Sequence, residues 1–304
     1  MMTNRRDFLK SSTLALLAAN AAAAADWKKQ VGLQLYTVRD LFDKDPEGTL
    51  AKVAEIGIKE VEPTSFGNLQ AKEFRALLDR YGLRAPSTHV AAAAGPNFEK
   101  DLEDRRIIGM QYTAVRGEAG AGRASAAPGA SPQRRGPTVE SVKRSSAQMN
   151  EYGKVARKFG IKILIHNHTQ EFELLDDGKT TEFDIQLAET DPSLVTLQLD
   201  IGWASVAGQN IVEMFRKHSG RFELWHVKDA TGIRGADPKA TPNARRQAAK
   251  LTPVGEGDVD YKTIFANAQL AGLKHFYIEQ DNAAQNGDSM AAAKTSYQNL
   301  LKVL

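Results

Sequence analysis

Short apolar runs alternate along the chain with stretches in which apolar residues recur at i, i+3, i+4 and i+7, and a glycine repeatedly stands between the two. The joints are Ile56-Gly57-Ile58, Tyr81-Gly82-Leu83, Phe159-Gly160-Ile161 and Ala271-Gly272-Leu273, with Ser219-Gly220-Arg221-Phe222 a looser fifth. Glycine closes a helix in the left-handed conformation, so each joint reads as a helix end passing into a strand. Reading outward predicts strands near 32–37, 59–62, 84–90, 109–115, 162–166, 195–200, 223–227 and 274–279. Helical faces such as Phe74, Leu77, Leu78 and Tyr81, or Tyr297, Leu300, Leu301 and Leu304, lie between and after them. Continuous apolar strands separated by amphipathic helices imply a parallel sheet covered on its outside. Eight such units over residues 26–304 predict one α/β domain, a (β/α)₈ TIM barrel. A doubly wound sheet fits less well, and no G-x-G-x-x-G follows the first strand, so no dinucleotide site is signalled.

Two stretches break this pattern, near 117–137 and 230–250, each rich in small residues and arginines. Both follow strands, which places them at the C-terminal face where barrels carry their sites; a lid and inert decoration are both open. Ahead of the barrel, Asn4-Arg5-Arg6-Asp7-Phe8-Leu9-Lys10 precedes an apolar stretch from Leu14 to Ala25. Residues 1–25 resemble a twin-arginine export signal, implying the export machinery as a partner and a periplasmic or otherwise exported protein. The apolar run is too short for a stable membrane span. Residues 1–25 hold three basic residues and one acidic one, so the remainder keeps 37 Lys+Arg against 36 Asp+Glu, a net of +1. That balance gives no footprint for nucleic acid. With no cysteine, any metal must be held by nitrogen and oxygen.

In a barrel the C-terminal strand ends converge on one mouth, and this chain loads them with polar residues. Strand two ends in Glu62, strand three in His89, strand five in His166-Asn167-His168, strand six in Asp200, strand seven in His226-Val227-Lys228 and strand eight in Glu279. Asp200, His226 and Glu279 from successive strands make a mixed O/N set suited to Mn²⁺, Mg²⁺, Co²⁺ or Zn²⁺. The fourth ligand is expected from strand five, where His166 and His168 share a face; His166 lies nearer the strand body.

These segments, together with Gly32-Leu33-Gln34-Leu35-Tyr36, Leu199-Asp200-Ile201-Gly202-Trp203, His226-Val227-Lys228-Asp229, Gly255-Glu256-Gly257 and Ile278-Glu279-Gln280-Asp281, resemble the sugar phosphate isomerase/epimerase family with its xylose isomerase-like barrel. The resemblance spans roughly residues 31–304. It implies a divalent metal, Mn²⁺ first, held by a Glu on strand five, an Asp on strand six, a His or Gln on strand seven and a Glu on strand eight, and members that often form homodimers. Asp200, His226 and Glu279 match; strand five departs, offering His166 as the metal ligand, with His168 and Glu171 nearby. Since both glutamates exchange protons in the family, the departure puts a symmetric two-base epimerisation in doubt.

The chemistry implied is a sugar isomerase or epimerase acting through an enediolate on a non-phosphorylated sugar or keto-sugar. Glu279 is the first candidate base, with His168 or Glu171 in reserve. Glu62, His89, Trp203 and Lys228 would bind the substrate. A 3-keto-glycoside lyase or hydrolase working by β-elimination and a non-catalytic carbohydrate-binding barrel are the alternatives.

Overall fold

The computed structural model describes residues 27–116 and 136–304; the leader expected over 1–25 and all but the end of the 117–137 insertion lie outside the described residues. Among these, the strands are β1 (Val31–Gln34), β2 (Glu60–Glu62), β3 (Ser87–Ala93), β4 (Tyr112–Arg116), β5 (Lys162–His166), β6 (Val195–Asp200), β7 (Leu224–Val227), β8 (Asp229–Thr231), β9 (Lys250–Thr252) and β10 (His275–Ile278). Eight of them pair in parallel in the order β2-β1-β10-β7-β6-β5-β4-β3. The ring closes between β2 and β3 through a bridge of Glu60 to Arg84 and the Val61 amide donating to the Arg84 carbonyl at 2.8 Å. This is the expected (β/α)₈ barrel. Helices cover its outside, from Pro46–Ile56 to the closing Ser289–Val303.

Local chemistry explains where strands differ from expectation. β1 stops at Gln34 because the Gln34 side chain accepts the Tyr36 amide at 3.2 Å and turns the chain into a 3₁₀ segment, Leu35–Val38. β3 starts at Ser87, after Pro86, which has no N–H to give a ladder. The joint glycines take left-handed φ, and Gly272 is also a close approach: a Cβ there would lie 2.8 Å from the Gly220 Cα.

Alternation along each strand separates two interiors. Outward residues such as Trp225 and Phe276 pack against the helices with Phe215 and Phe265, Trp225 stacking on Phe215 at 5.0 Å. Inward residues Tyr112, Leu164, Leu224 and Tyr277 form a separate apolar layer across the barrel. Gly32 makes room for it, since a Cβ there would meet the Tyr277 ring at 2.5 Å. That layer is a floor, and the candidate site residues lie above it at the mouth. The 230–250 insertion is ordered: β8 and β9 form an antiparallel pair, and Thr241 caps the helix Pro242–Ala248 by accepting the Ala244 amide at 3.2 Å.

Candidate metal centre and substrate cavity

His166 ends β5, Asp200 ends β6, His226 lies inward on β7 and Glu279 follows β10; these strands are consecutive neighbours in the ring. One donor atom from each lies within 4.8 Å of the others. His226 Nδ1 is 2.6 Å from Glu279 Oε2, and His166 Nε2 is 3.9 Å from Asp200 Oδ2. Yet His226 Nδ1, Glu279 Oε2 and His166 Nδ1 are buried without a partner in hydrogen-bond geometry. His166 Nδ1 is the plainest case, and a buried polar atom left so costs about 1–3 kcal/mol, a penalty that a bound cation would remove. Two imidazoles with two carboxylates fit Mn²⁺, Mg²⁺, Co²⁺ or Zn²⁺.

Charge points the same way. Lys228 is fully buried, its Nζ 2.7 Å from Asp200 Oδ2, 2.9 Å from Glu279 Oε2 and 2.8 Å from Asp281 Oδ2. Burial opposes the ammonium, but Asp200, Glu279 and Asp281 outweigh it and hold the Lys228 pKa above its ordinary value. Burial likewise pushes Glu279 up, and Lys228 with His226 overcomes it, so this carboxyl stays well below the usual range. Burial lifts Asp200 to about 6 against the pull of Lys228. His226, whose burial favours the neutral ring, is raised to about 10 by Glu279 and Glu62. Four carboxylates, Glu62, Asp200, Glu279 and Asp281, therefore face one lysine and an imidazole that keeps a second proton at neutral pH. A divalent ion would take that proton's place. His166, by contrast, is driven well below its ordinary value by burial and then by His226, and so keeps a neutral ring.

The remaining expected residues divide. His89, His166, His168, Trp203 and Glu279 line one cavity of about 460 Å³ with Tyr36, Thr64, Arg246, Leu251 and Asp281, within the roughly 300–1,000 Å³ of small-molecule sites. Glu62 does not: it is fully buried, and its oxygens accept from Gln34 Nε2 and Gln198 Nε2, both at 2.7 Å, from Ser87 Oγ, and meet His226 Nε2 at 2.6 Å. The expectation that Glu62 and Lys228 touch substrate gives way to buried positions beneath and behind the cluster. Glu171 is buried with Oε2 accepting the His168 amide at 2.7 Å, which shapes the loop after β5. Asn167 stitches that loop to β6 by accepting the Asp200 amide at 3.0 Å, leaving the flanking histidines on the mouth side. Trp203 carries cations over its ring, Lys228 Nζ at 5.1 Å and Arg246 Cζ at 4.9 Å, so its face is already engaged.

Sequence reasoning gave Gln34, Ser87, Gln198, Asp281 and Arg246 no role at the site. Gln198 stands two before Asp200 and Asp281 two after Glu279, so the period of two that placed the ligands could have found them. It also misses why Asp229 follows Lys228. Asp229 points the other way and accepts the amides of Ala230 (2.9 Å), Gly255 (2.9 Å), Gly257 (3.1 Å) and Val259 (3.2 Å), so Gly255-Glu256-Gly257 is a loop wrapped on a carboxylate. A Cβ on Gly257 would lie 2.1 Å from Asp229 Oδ1.

Among known proteins, the inosose dehydratase of Bacillus licheniformis is 30% identical over 145 residues, covering 46% of this chain and 45% of that protein. The chain thus spans about half the length of the curated relatives it matches. Its fold is similar to that of a sugar phosphate isomerase/epimerase from Parabacteroides distasonis (TM-score 0.69, 20% identity, 90% of this chain and 95% of that one). It is also similar to a xylose isomerase-like TIM barrel protein from Mycobacterium smegmatis in complex with magnesium (TM-score 0.60, 19% identity, 92% and 97%). Residues 50–301 match the family described as the xylose isomerase-like TIM barrel, and the chain belongs to that family.

Proposed function

We propose that this protein is a divalent-metal-dependent enzyme that moves a proton next to the carbonyl of a non-phosphorylated sugar or keto-sugar. The observation that carries the reading is the convergence of His166, Asp200, His226 and Glu279 from four neighbouring strands, with His166 and Glu279 lining the cavity. A divalent ion held there supplies Lewis acidity that polarises a carbonyl and stabilises an enediolate. The chain's own residues do the rest. Glu279 directs Oε2 at the ion site, so Oε1 is the atom that takes the substrate proton. Lys228 keeps Glu279 and Asp200 ionised. Burial, then Lys228, lowers His168 to about 4, so its ring is neutral at pH 7 and orients hydroxyls at the mouth. Arg246 and Trp203 close one side of the cavity.

Dehydration by β-elimination is the second reading. It is favoured by β5, which brings imidazoles where a symmetric epimerase needs a second carboxylate, and by the similarity to inosose dehydratase. The test begins with metal analysis of the folded protein beside an Asp200→Ala/His226→Ala variant. About one equivalent in the parent and none in the variant is expected; no uptake of Mn²⁺, Mg²⁺, Co²⁺ or Zn²⁺ would sink the site. Incubating the loaded protein with keto-sugars in D₂O then separates the chemistries. Deuterium in a sugar of unchanged mass class marks isomerisation or epimerisation, loss of water or aglycone marks elimination, and neither across the panel marks a binding barrel. We also place the mature protein outside the cytoplasm, on the strength of the Arg5-Arg6 leader. Replacing both arginines by lysine should retain the precursor inside cells; export of the variant would refute that.

A further inference from the structure

Beneath the candidate ligands lies a chain of polar contacts that reaches two of the mouth histidines from one carboxylate. Glu62 on β2 accepts Gln34 Nε2, Ser87 Oγ and Gln198 Nε2, with His226 Nε2 2.6 Å from its Oε2. Gln34 and Gln198 turn amide N–H groups and Ser87 its hydroxyl to the two Glu62 oxygens, the surroundings of a carboxylate, which has acceptors only. His226 must therefore carry a hydrogen on Nε2. The Gln198 amide extends the argument: its nitrogen is committed to Glu62, so its oxygen, 2.5 Å from His89 Nε2, receives a hydrogen from that ring too. Donor and acceptor roles thus propagate outward with one consistent solution.

We infer that Glu62 is a positioning residue that sets the tautomers of two histidines at once, directly for His226 and through Gln198 for His89. Each ring keeps its hydrogen on Nε2; His89 offers the Nδ1 lone pair, and His226 does so once an ion takes the place of the proton on Nδ1. For His226 that atom is the one 2.6 Å from Glu279 Oε2 and without a hydrogen-bond partner, hence the ligand nitrogen. A histidine ligand whose other nitrogen donates to a carboxylate is oriented and made more basic by it. For His89, whose ring lines the cavity, Nδ1 becomes an acceptor suited to a substrate hydroxyl rather than a donor. The His226 half of this inference rests on the metal reading above; the His89 half does not.

The test uses the full chain labelled with ¹⁵N-histidine, metal-free and loaded with Zn²⁺, with His89→Gln and His226→Gln to identify the two rings. Nitrogen shifts should show hydrogen on His89 Nε2 in both forms, and zinc on Nδ1 with hydrogen on Nε2 of His226 in the loaded form. Glu62→Gln puts an amide donor among four donors; His226 relieves it by moving its hydrogen to Nδ1, so zinc should bind about 10–100-fold more weakly. Gln198→Met should mix the His89 tautomers, leave those of His226 alone and change zinc affinity by less than about threefold. Hydrogen on Nδ1 of His89, or zinc on Nε2 of His226, would overturn the inference whether or not either variant folds. If the parent takes up no zinc, the metal reading fails, and the His89 tautomer alone decides whether the relay exists.

Discussion

Replacing Lys228 by methionine removes the one fixed cation of the cluster while keeping the length of the side chain. The ammonium is fully buried and within 2.7–2.9 Å of oxygens on Asp200, Glu279 and Asp281. At an effective dielectric of about 20, each such contact is worth about 6 kcal/mol gross. Desolvating the ammonium offsets several kcal/mol of that, and breaking a buried pair from one side costs about 3–5 kcal/mol net. For a chain this size the loss should lower the melting temperature of chelator-treated protein by about 10 °C. Adding Mn²⁺ or Zn²⁺ should then raise the variant more than the parent, because the ion replaces the missing charge and its stabilisation grows with affinity. Calorimetry with and without metal reads both effects. A metal-free melt within about 2 °C of the parent would show that the three contacts are not stabilising. A larger metal shift in the parent would show that Lys228 supports ion binding instead of competing with it.

Asp229→Ala strips acceptors from the amides of Ala230, Gly255, Gly257 and Val259; it should destabilise the fold by at least about 3 kcal/mol and speed hydrogen exchange over residues 253–259 before elsewhere. Gly202→Ala would put a Cβ 2.4 Å from the Lys228 carbonyl oxygen; overpacking of this kind costs about 1–3 kcal/mol, measurable as a lower denaturant midpoint together with weaker metal uptake. Burial, then Lys228, lowers His168 to about 4, so the folded state binds its proton more weakly than the unfolded chain does. That contribution is fully present above about pH 6.5 and is lost as pH falls toward 4, on the order of 3 kcal/mol in all. Melting temperature should therefore fall less steeply over that window in His168→Gln than in the parent, and equal slopes would refute the assignment.

The barrel was legible because its grammar is local. A helix stripe, a glycine and an apolar run each speak for a few residues, and β5 and β6 begin and end where that pattern puts them. What was not legible depends on contacts between distant segments. Closure at Glu60 and Arg84 is one case. Another is the Gln34 side chain, whose capture of the Tyr36 amide ends β1 early. The 230–250 insertion carried an unread signal, Thr241-Pro242, which starts its helix as a cap followed by proline at the first turn.

At the site, strand periodicity names faces and leaves their occupants open. At the end of β7, Lys228 turns to the cluster and Asp229 turns away from it. Lysine is seldom fully buried, however, so its role in sequence was a hand held out to substrate. Only the arrival of Asp200, Glu279 and Asp281 from β6 and the end of β10 shows that its partners are carboxylates of the protein. The departure on strand five then acquires a physical reason. With Lys228 and a divalent ion inside, four carboxylates and neutral imidazoles leave the pocket close to balanced. A glutamate in place of His166 would add a buried negative charge that nothing else there offsets. His166 and Lys228 thus answer each other: the strand that gives up a carboxylate and the strand that buries a lysine set the charge into which the cation must fit.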